Sequence, residues 1–156
     1  MDVCFSVYDA EQDSSFSEPL IVSSQNDFTE FTPKVTAENG KVAVSWFINS
    51  ENDIEYYDGT NSIYVTAYED ESFSESKCYA KAPNGYGLKD YDLKIVNGKP
   101  VIAYISDGDG NQMTNDSVVH YVSNGNDKII TGSEYDATTV ELADNNIYFA
   151  SDNQIR

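Results

Sequence analysis

Basic residues are scarce in this chain. Of its 156 residues, nine are lysine or arginine and 27 are aspartate or glutamate, and Arg156 is the one arginine. The formal net charge is therefore -18 at pH 7. A surface of this sign repels phosphate backbones and anionic lipids. The composition argues against nucleic acid and membrane surfaces as partners and favours solubility and weak cation binding.

Residues that bind zinc are also rare. The chain has one histidine, His120, in an alternating apolar segment, and two cysteines, Cys4 and Cys78, without a Cys-x-x-Cys pair. A structural zinc ion takes four such ligands, so no zinc site is expected. We expect the cysteines to be separate thiols, buried as small apolar side chains. A disulfide is the alternative, although two cysteines at this separation form no framework pattern.

Long apolar runs are missing. No run approaches the roughly 18 residues that a membrane-spanning helix needs, and the opening MDVCFSVYDA lacks the charged-then-apolar order of a signal peptide. Because this opening is typical of a strand, we interpret the chain as a segment of a longer protein to which Met1 has been added. The acidic, Lys-poor composition, rich in Asn, Asp, Ser and Tyr, is typical of secreted bacterial surface proteins. We therefore expect secretion or attachment to the cell surface.

What the chain does contain is alternation of apolar and polar residues at period two. Such alternation is typical of β-strands, whereas no ten-residue segment shows the 3.6-residue period of a helix. Gly, Asn, Asp and Pro interrupt the chain at short intervals. The sequence therefore predicts an all-β protein, with its clearest strands at 41–48, 62–68, 100–105, 118–122 and 146–151.

Several segments of the chain resemble one another. ENGKVAVSW (38–46) and VNGKPVIAY (96–104) share an Asn-Gly-Lys turn and a β-branched strand that ends on an aromatic residue, Trp46 or Tyr104. DATTVELADNNIYFAS is a fainter copy, and Ser-Phe-Ser-Glu occurs twice. Asn-Gly in a two-residue hairpin is explained by type I′ geometry alone. Aromatic residues at one repeated position predict packing between neighbouring units. A repeat of about 40–55 residues with four short strands indicates a β-propeller blade.

These repeats resemble the sialidase-like and related secreted β-propellers over nearly the whole chain. The turns at 8–17 and 68–74 resemble the Asp-box turn of that family, Ser-x-Asp-x-Gly-x-Thr-Trp, but lack its Gly and Trp. The rival fold is a β-sandwich, which would also supply twelve strands. The resemblance implies four-stranded antiparallel blades, about three blades' worth in a partial ring: a half-blade at 1–24, blades at 33–81 and 91–132, and a half-blade at 136–156.

The same resemblance implies that the long loops share one face of the ring. Long loops on one side of a rigid scaffold are where binding residues concentrate. Aromatic rings beside carboxylates suit sugars, because the CH groups stack on the rings while the hydroxyls bond to the acids. The alternative is that these aromatics fill the space between loops and blades. We predict a glycan site that contains Asp53, Tyr56, Tyr57, Asp58 and Tyr86.

The segment DGDGN (107–111) is the one candidate metal loop. Oxygen ligands at alternate positions are typical of the start of a calcium loop. The full twelve-residue pattern fails, because Gln112 and Val118 stand where Gly and Glu are required. A solvated acidic turn is therefore the default interpretation, and no other cofactor is expected. The candidate calcium ligands are Asp107, Asp109 and Asn111.

Catalytic patterns are scarce. Sialidase chemistry needs three arginines around the substrate carboxylate and a Tyr–Glu nucleophile pair, which Arg156 alone cannot supply. Ser-His-Asp catalysis would have to use His120, which has no nucleophile motif around it. Paired carboxylates are too abundant to discriminate. We predict a non-catalytic binding or scaffolding module whose partner is a glycan or a surface protein. The alternative is a fragment of a propeller glycoside hydrolase or lyase with its catalytic residues elsewhere.

The predicted arrangement of two blades between two half-blades also bears on assembly. Two half-blades at the ends of the array would each expose an unpaired strand edge, and such edges promote association. A twofold axis that joins the half-blades of two copies would give six blades. We therefore expect a homodimer, or completion of the ring by a longer chain.

Overall fold

The computed structural model describes residues 2–11, 15–23, 27–50, 60–69, 72–82, 87–109, 114–151 and 154–155. Within these ranges the regular structure consists of β-strands and a single 3-10 turn, Ser133–Tyr135. The predicted all-β class is confirmed. No helix in the described ranges has the length and apolar character needed to cross a membrane.

The strands of the described ranges form four antiparallel sheets, none of which is closed. Sheet 1 is the hairpin of β1 (Cys4–Phe5) and β2 (Leu20–Ile21). Sheet 2 contains β3 (Thr29–Glu38), β4 (Lys41–Asn49), β5 (Thr60–Glu69), β6 (Ser72–Phe73) and β7 (Lys77–Lys81). Sheet 3 contains β8 (Leu88–Val96), β9 (Lys99–Ser106), β10 (Val118–Ser123) and β11 (Asn126–Ile129). Sheet 4 contains β12 (Ala137–Ala143), β13 (Asn146–Ser151) and β14 (Gln154–Ile155).

Strands that follow one another in the chain are neighbours in each sheet, with the exception of β6 and β7. Sheet 3 has the order β8-β9-β10-β11, and sheet 2 has β3-β4-β5, with both β6 and β7 paired to β5. The fourth position of sheet 2 is thus shared by two short strands. Sheet 4 has a third strand, β14, which pairs Ala150 with Ile155, where the sequence predicted only two strands. Meanders of this kind follow from the short turns between alternating segments.

The two Asn-Gly turns have the backbone that the sequence predicts. Asn39 and Gly40 have φ of 50° and 79°, and Asn97 and Gly98 have φ of 52° and 73°. Both positions of a type I′ turn need positive φ, which Asn and Gly adopt most readily. The turns join β3 to β4 and β8 to β9 in register, so the repeated sequence specifies a repeated hairpin.

Three apolar clusters join consecutive sheets. Alternate residues of a strand point to opposite faces of its sheet, so each central strand contributes to two clusters. In β4, Trp46 packs with Val3 and Val22 of the sheet 1 region, whereas Phe47 packs against Tyr91 of sheet 3. The third cluster joins sheet 3 to sheet 4 and contains Ala103, Ile105, Val119, Ala137 and Val140.

Trp46 and Tyr104 occupy equivalent places in this packing. Both side chains are fully buried, and each points from the second strand of its sheet toward the preceding sheet. Trp46 stacks near Tyr64, and Tyr104 stacks on His120 with ring centroids 4.4 Å apart. The expectation that these aromatics pack between neighbouring units is confirmed.

Carboxylates connect the first strands of sheets 2, 3 and 4. Asp92 of β8 accepts the backbone N–H of Leu142 in β12 at 2.8 Å, and its other oxygen lies 3.4 Å from Lys34 Nζ in β3. Asp90 accepts the N–H of Val140 and the hydroxyl of Thr139 through one oxygen. Because edge N–H groups need acceptors, these side chains act in place of a further strand.

The cysteines differ from the sequence prediction. Cys4 and Cys78 are separate thiols, but both are exposed rather than buried. Cys4 lies on the face of the sheet 1 hairpin opposite Val3, which belongs to the core. The Cys78 thiol donates to the carbonyl of Ala80 at 3.3 Å. Partial burial nevertheless raises the pKa of the Cys78 thiol, against the lowering effect of Lys81.

Candidate functional site

The loop after β9 meets the segments that precede β8 and β12 at one end of the sheets. Asp107, just after β9, donates its N–H to the carbonyl of Gly87, just before β8, at 2.9 Å. Gly87 has φ of 89°, and a Cβ there would lie 2.9 Å from the Cβ of Asp107. The approach therefore requires glycine. The loop after β9 also reaches sheet 4, because Ser117 accepts the N–H of Ala137 at 3.1 Å.

The predicted glycan residues lie outside the described ranges. These residues are Asp53, Tyr56, Tyr57, Asp58 and Tyr86. The strands that flank them are described: Asn49 pairs with Thr60, and Ser62 pairs with Lys81. The connections 50–59 and 82–87 therefore both begin at the same end of sheet 2. The glycan site itself stays a prediction.

Three carboxylates lie together in the loop after β9. One oxygen each of Asp107, Asp109 and Asp116 lies within 4.8 Å of the others. Two of these residues were candidate calcium ligands, and the third candidate, Asn111, lies outside the described ranges. Asp116 was missed because it follows Asp107 by nine positions and comes close only when the loop folds back. Carboxylate oxygens are ligands for a hard cation such as Ca²⁺.

Internal bonds give this acidic loop a structural explanation as well. Lys89 Nζ lies 3.2 Å from the fully buried carboxylate of Asp107, and Thr114 donates to Asp109 at 2.9 Å. The N–H of Gly108 donates to Asp116 at 3.2 Å, and a Cβ on Gly108 would lie 2.6 Å from the carbonyl oxygen of Asp116. The carboxylates thus hold the loop closed on itself, and the buried Asp107 distinguishes the loop from a fully solvated acidic turn.

Ser106, His120 and Asp127 form a hydrogen-bonded chain that sequence reasoning missed. His120 Nε2 lies 3.0 Å from Ser106 Oγ, and His120 Nδ1 lies 3.0 Å from Asp127 Oδ1. When Nδ1–H donates to the carboxylate, Nε2 is free to accept the serine hydroxyl. The order is that of a Ser-His-Asp triad. The three residues lie on β9, β10 and β11 and meet only across strands.

The hydrogen-bonded Ser106, His120 and Asp127 differ from a working triad in their burial. Ser106 is 0% exposed and His120 is 4% exposed, beneath the packed sheet 2. A nucleophile must reach the substrate carbonyl, and a buried hydroxyl cannot. Asp127 also accepts the hydroxyl of Tyr104 at 2.5 Å. Burial, with the bond to Asp127 and its charge, raises the pKa of Tyr104, so this phenol stays protonated. The network satisfies buried polar groups.

The second buried tyrosine joins sheets 2 and 3. Tyr91 of β8 donates its hydroxyl to the carbonyl of Thr32 at 2.7 Å and accepts the hydroxyl of Ser45 at 3.2 Å. Lys34 Nζ lies 5.4 Å from the centroid of its ring. Burial raises the pKa of Tyr91 despite the bond from Ser45. These groups are fixed by structural partners, as in the Ser106 network.

Comparisons with known proteins give no relative from which a function could be transferred. A scan of the chain against protein-family models, a search of curated proteins and a search of solved structures each found no match.

Proposed function

We propose that the four sheets are blades and partial blades of a β-propeller. The strongest support is a turn that occurs twice with the same bonds. Ser17 donates its N–H to the carbonyl of Val7 at 2.8 Å, and its hydroxyl accepts the N–H of Val7 at 2.9 Å. Ser74 makes the same two bonds with Ala67, at 2.8 and 3.1 Å. The turn of sheet 1 thus corresponds to the β5–β6 turn of sheet 2.

Aromatic pairs support the same correspondence. Tyr8 and Phe16 lie beside the first turn with ring centroids 5.3 Å apart, and Tyr68 and Phe73 lie beside the second at 4.9 Å. Sheet 1 then represents the two outer strands of a blade. The two half-blades are residues 1–24 and residues 136–156. Carboxylates that link β3, β8 and β12 support a shared axis next to these first strands. A β-sandwich would need two facing sheets instead of a radial series.

On this scaffold, the chain acts as a non-catalytic binding or scaffolding module of a secreted or surface-attached bacterial protein. One observation supports this proposal most strongly: the buried polar side chains of the Ser106 network are hydrogen-bonded to one another, whereas the loop after β9 meets other segments at one end of the sheets, called here the loop-bearing end. Ser106, His120 and Asp127 are held by structural partners inside, whereas the loop after β9 contacts the segments before β8 and β12 at one end. Binding loops on a rigid scaffold are a common arrangement.

The partner that this end suits best is a glycan, with a surface protein as the other option. The proposed contacts are the tyrosines and aspartates of the loops between β4 and β5 and between β7 and β8: Asp53, Tyr56, Tyr57, Asp58 and Tyr86. The excess of carboxylates gives many acceptors for sugar hydroxyls, and tyrosine rings bury the apolar face of a sugar.

A polysaccharide titration tests the glycan proposal. Plant and mucin polysaccharides are first screened on an array, and the best ligand is then measured by calorimetry. The double variant Tyr56→Ala/Tyr57→Ala is expected to weaken binding about 5- to 150-fold, because the loss of two stacked rings at about 0.5–1.5 kcal/mol each amounts to about 1–3 kcal/mol. The matched control, Tyr8→Ala/Phe16→Ala, removes two exposed rings from sheet 1 and should bind normally. Unchanged binding by the first variant would remove the proposal.

The alternative, a fragment of a propeller glycoside hydrolase or lyase, makes different predictions. Its catalytic residues would lie on other blades, so the gene on either side of this segment should encode three arginines at equivalent blade positions if the chemistry is that of sialidases. The Ser106 network offers a separate check. We expect a fluorophosphonate probe to leave Ser106 unlabelled in the folded chain, since the hydroxyl is buried. Labelling abolished by His120→Ala would favour an enzyme.

The propeller proposal retains the expectation of a dimer or of completion by further blades. Several large apolar side chains of the sheet 1 region are exposed, among them Phe16 at 70% and Ile21 at 52%. A second copy could cover them. The charge of -18 opposes association, but salt screens exposed charges beyond about 10 Å at 0.1 M. Sedimentation should therefore show a dimer that strengthens as salt increases; a monomer at high concentration and moderate salt would contradict this frame.

A further inference from the structure

A cavity of about 380 Å³ lies where the first strands of sheets 2, 3 and 4 meet. None of its lining residues belongs to the acidic loop or to the predicted glycan residues. Its charged lining consists of Lys34, Asp90, Asp92 and Glu141. One positive and three negative charges leave the lining net negative by two. This cavity therefore needs an explanation separate from the loop-bearing end.

The cavity offers more acceptors than donors. Both bonds that Asp90 accepts reach Oδ2, so Oδ1 keeps its acceptor capacity within the described part of the chain. Glu141 is exposed on β12. Lys34 is already directed toward Asp92. A ligand that satisfies these oxygens must bring its own donors, and a positive charge would be favoured.

An aromatic side chain neighbours the exposed carboxylate of Glu141. Glu141 and Tyr148 are direct cross-strand partners on β12 and β13, which places their Cβ atoms about 5 Å apart on one face. Tyr148 is 42% exposed, so its ring is accessible from the cavity. A carboxylate next to a ring face attracts an organic cation through both charge and cation–π attraction. The apolar part of the lining on this face consists of the Tyr148 ring and Ala150, two positions apart on β13, and suits a short alkyl chain.

We propose that this cavity binds an alkylammonium group, with Glu141 and Asp90 as its acceptors and Tyr148 as its aromatic face. The group could belong to a free amine or to a lysine side chain of a partner, since both present the same chemistry. The inference does not depend on the glycan proposal, because it uses other residues and another part of the fold.

Titration of the whole chain with butylamine at neutral pH, followed by two-dimensional NMR of the backbone amides, tests this proposal. We expect saturable shifts confined to β12, β13 and the neighbourhood of Lys34. Butanol, of similar size and without charge, should produce none. N-acetyl-lysine amide provides the second arm. If it binds as butylamine does, the site accepts lysine side chains; if it does not, the site is restricted to free amines.

Variants assign the binding to the named groups. Glu141→Gln and Tyr148→Leu should each weaken butylamine binding about two- to fivefold, as the modest energies of exposed charge and cation–π contacts imply. Glu18→Gln removes the same charge from an exposed position near sheet 1 and should leave the affinity unchanged. The proposal is overturned by equal effects of Glu141→Gln and Glu18→Gln, by shifts spread over the whole acidic surface, by equal binding of butanol, or by no saturable binding.

Discussion

Replacement of Asp92 by alanine should destabilise the chain more than loss of an exposed surface ion pair, because Asp92 joins its own sheet to two others. It lies on β8 of sheet 3, accepts the N–H of Leu142 in sheet 4 and pairs with Lys34 of sheet 2. Its side chain is 18% exposed. Alanine would leave the Leu142 N–H without this acceptor and Lys34 without its carboxylate.

The magnitude follows from these two contacts. Loss of a hydrogen bond to a charged acceptor costs about 1.5–3 kcal/mol. The pair with Lys34, whose side chain is 32% exposed, is worth no more than about 1 kcal/mol after solvent screening. Together they predict a loss of about 1.5–4 kcal/mol in the free energy of unfolding. For a chain of this length, that loss lowers Tm by about 3–16 °C.

Urea unfolding measures this loss, with the fluorescence of the single, buried Trp46 and far-ultraviolet circular dichroism as probes. The matched control is Glu69→Ala, which breaks the exposed pair between Lys41 and Glu69 at 2.8 Å and should cost less than about 1 kcal/mol. Asp92→Asn keeps an acceptor oxygen and should lie between the two. Equal losses for Asp92→Ala and Glu69→Ala would refute the view that this carboxylate joins the sheets.

Three further predictions concern pH, thiols and calcium. Because burial raises the pKa of Tyr91 and Tyr104 above the ordinary value of 10.0, their contribution to stability is complete below about pH 10. Above that pH the contribution should decline, because the unfolded chain loses these protons while the folded chain keeps them. Urea unfolding at increasing pH measures the decline. An equal alkaline decline in the Tyr91→Phe/Tyr104→Phe variant would contradict this assignment. Iodoacetamide should alkylate two thiols per folded chain. Cys78 should react more slowly than a free thiol because its pKa is raised. An unreactive Cys4 in the folded chain would contradict the exposed position of its thiol. Calorimetry should show that Ca²⁺ binds no more tightly than about millimolar and more weakly after Asp109→Asn; micromolar binding would mean that the loop is more than a self-bonded acidic turn.

Local patterns allowed most of the strands and turns to be predicted. Asn-Gly pairs with alternating flanks specify both the turn conformation and the hairpin register, and neither depends on distant residues. The clearest predicted strands fall within β4, β5, β9, β10 and β13. The short pairings were missed: β14 and the split between β6 and β7 involve two to five residues, too few for a period to be read.

Sites formed across strands could not be predicted in the same way. The chain of Ser106, His120 and Asp127 depends on which residues face each other in sheet 3, which requires the register of two strand pairs. Asp116 joins Asp107 only after the loop folds back. Exposed Cys4 shows why residue-type averages fail here, since a small thiol on the outer face of a two-stranded hairpin has no sheet to cover it.

A crystal structure of the chain tests the central claim, that the sheets are propeller blades, most directly. The account predicts that one rotation relates sheet 2 to sheet 3 and sheet 3 to sheet 4, about an axis next to β3, β8 and β12. The angle should be about 45–90°, as in rings of four to eight blades. Two face-packed sheets without a common rotation axis would contradict the claim.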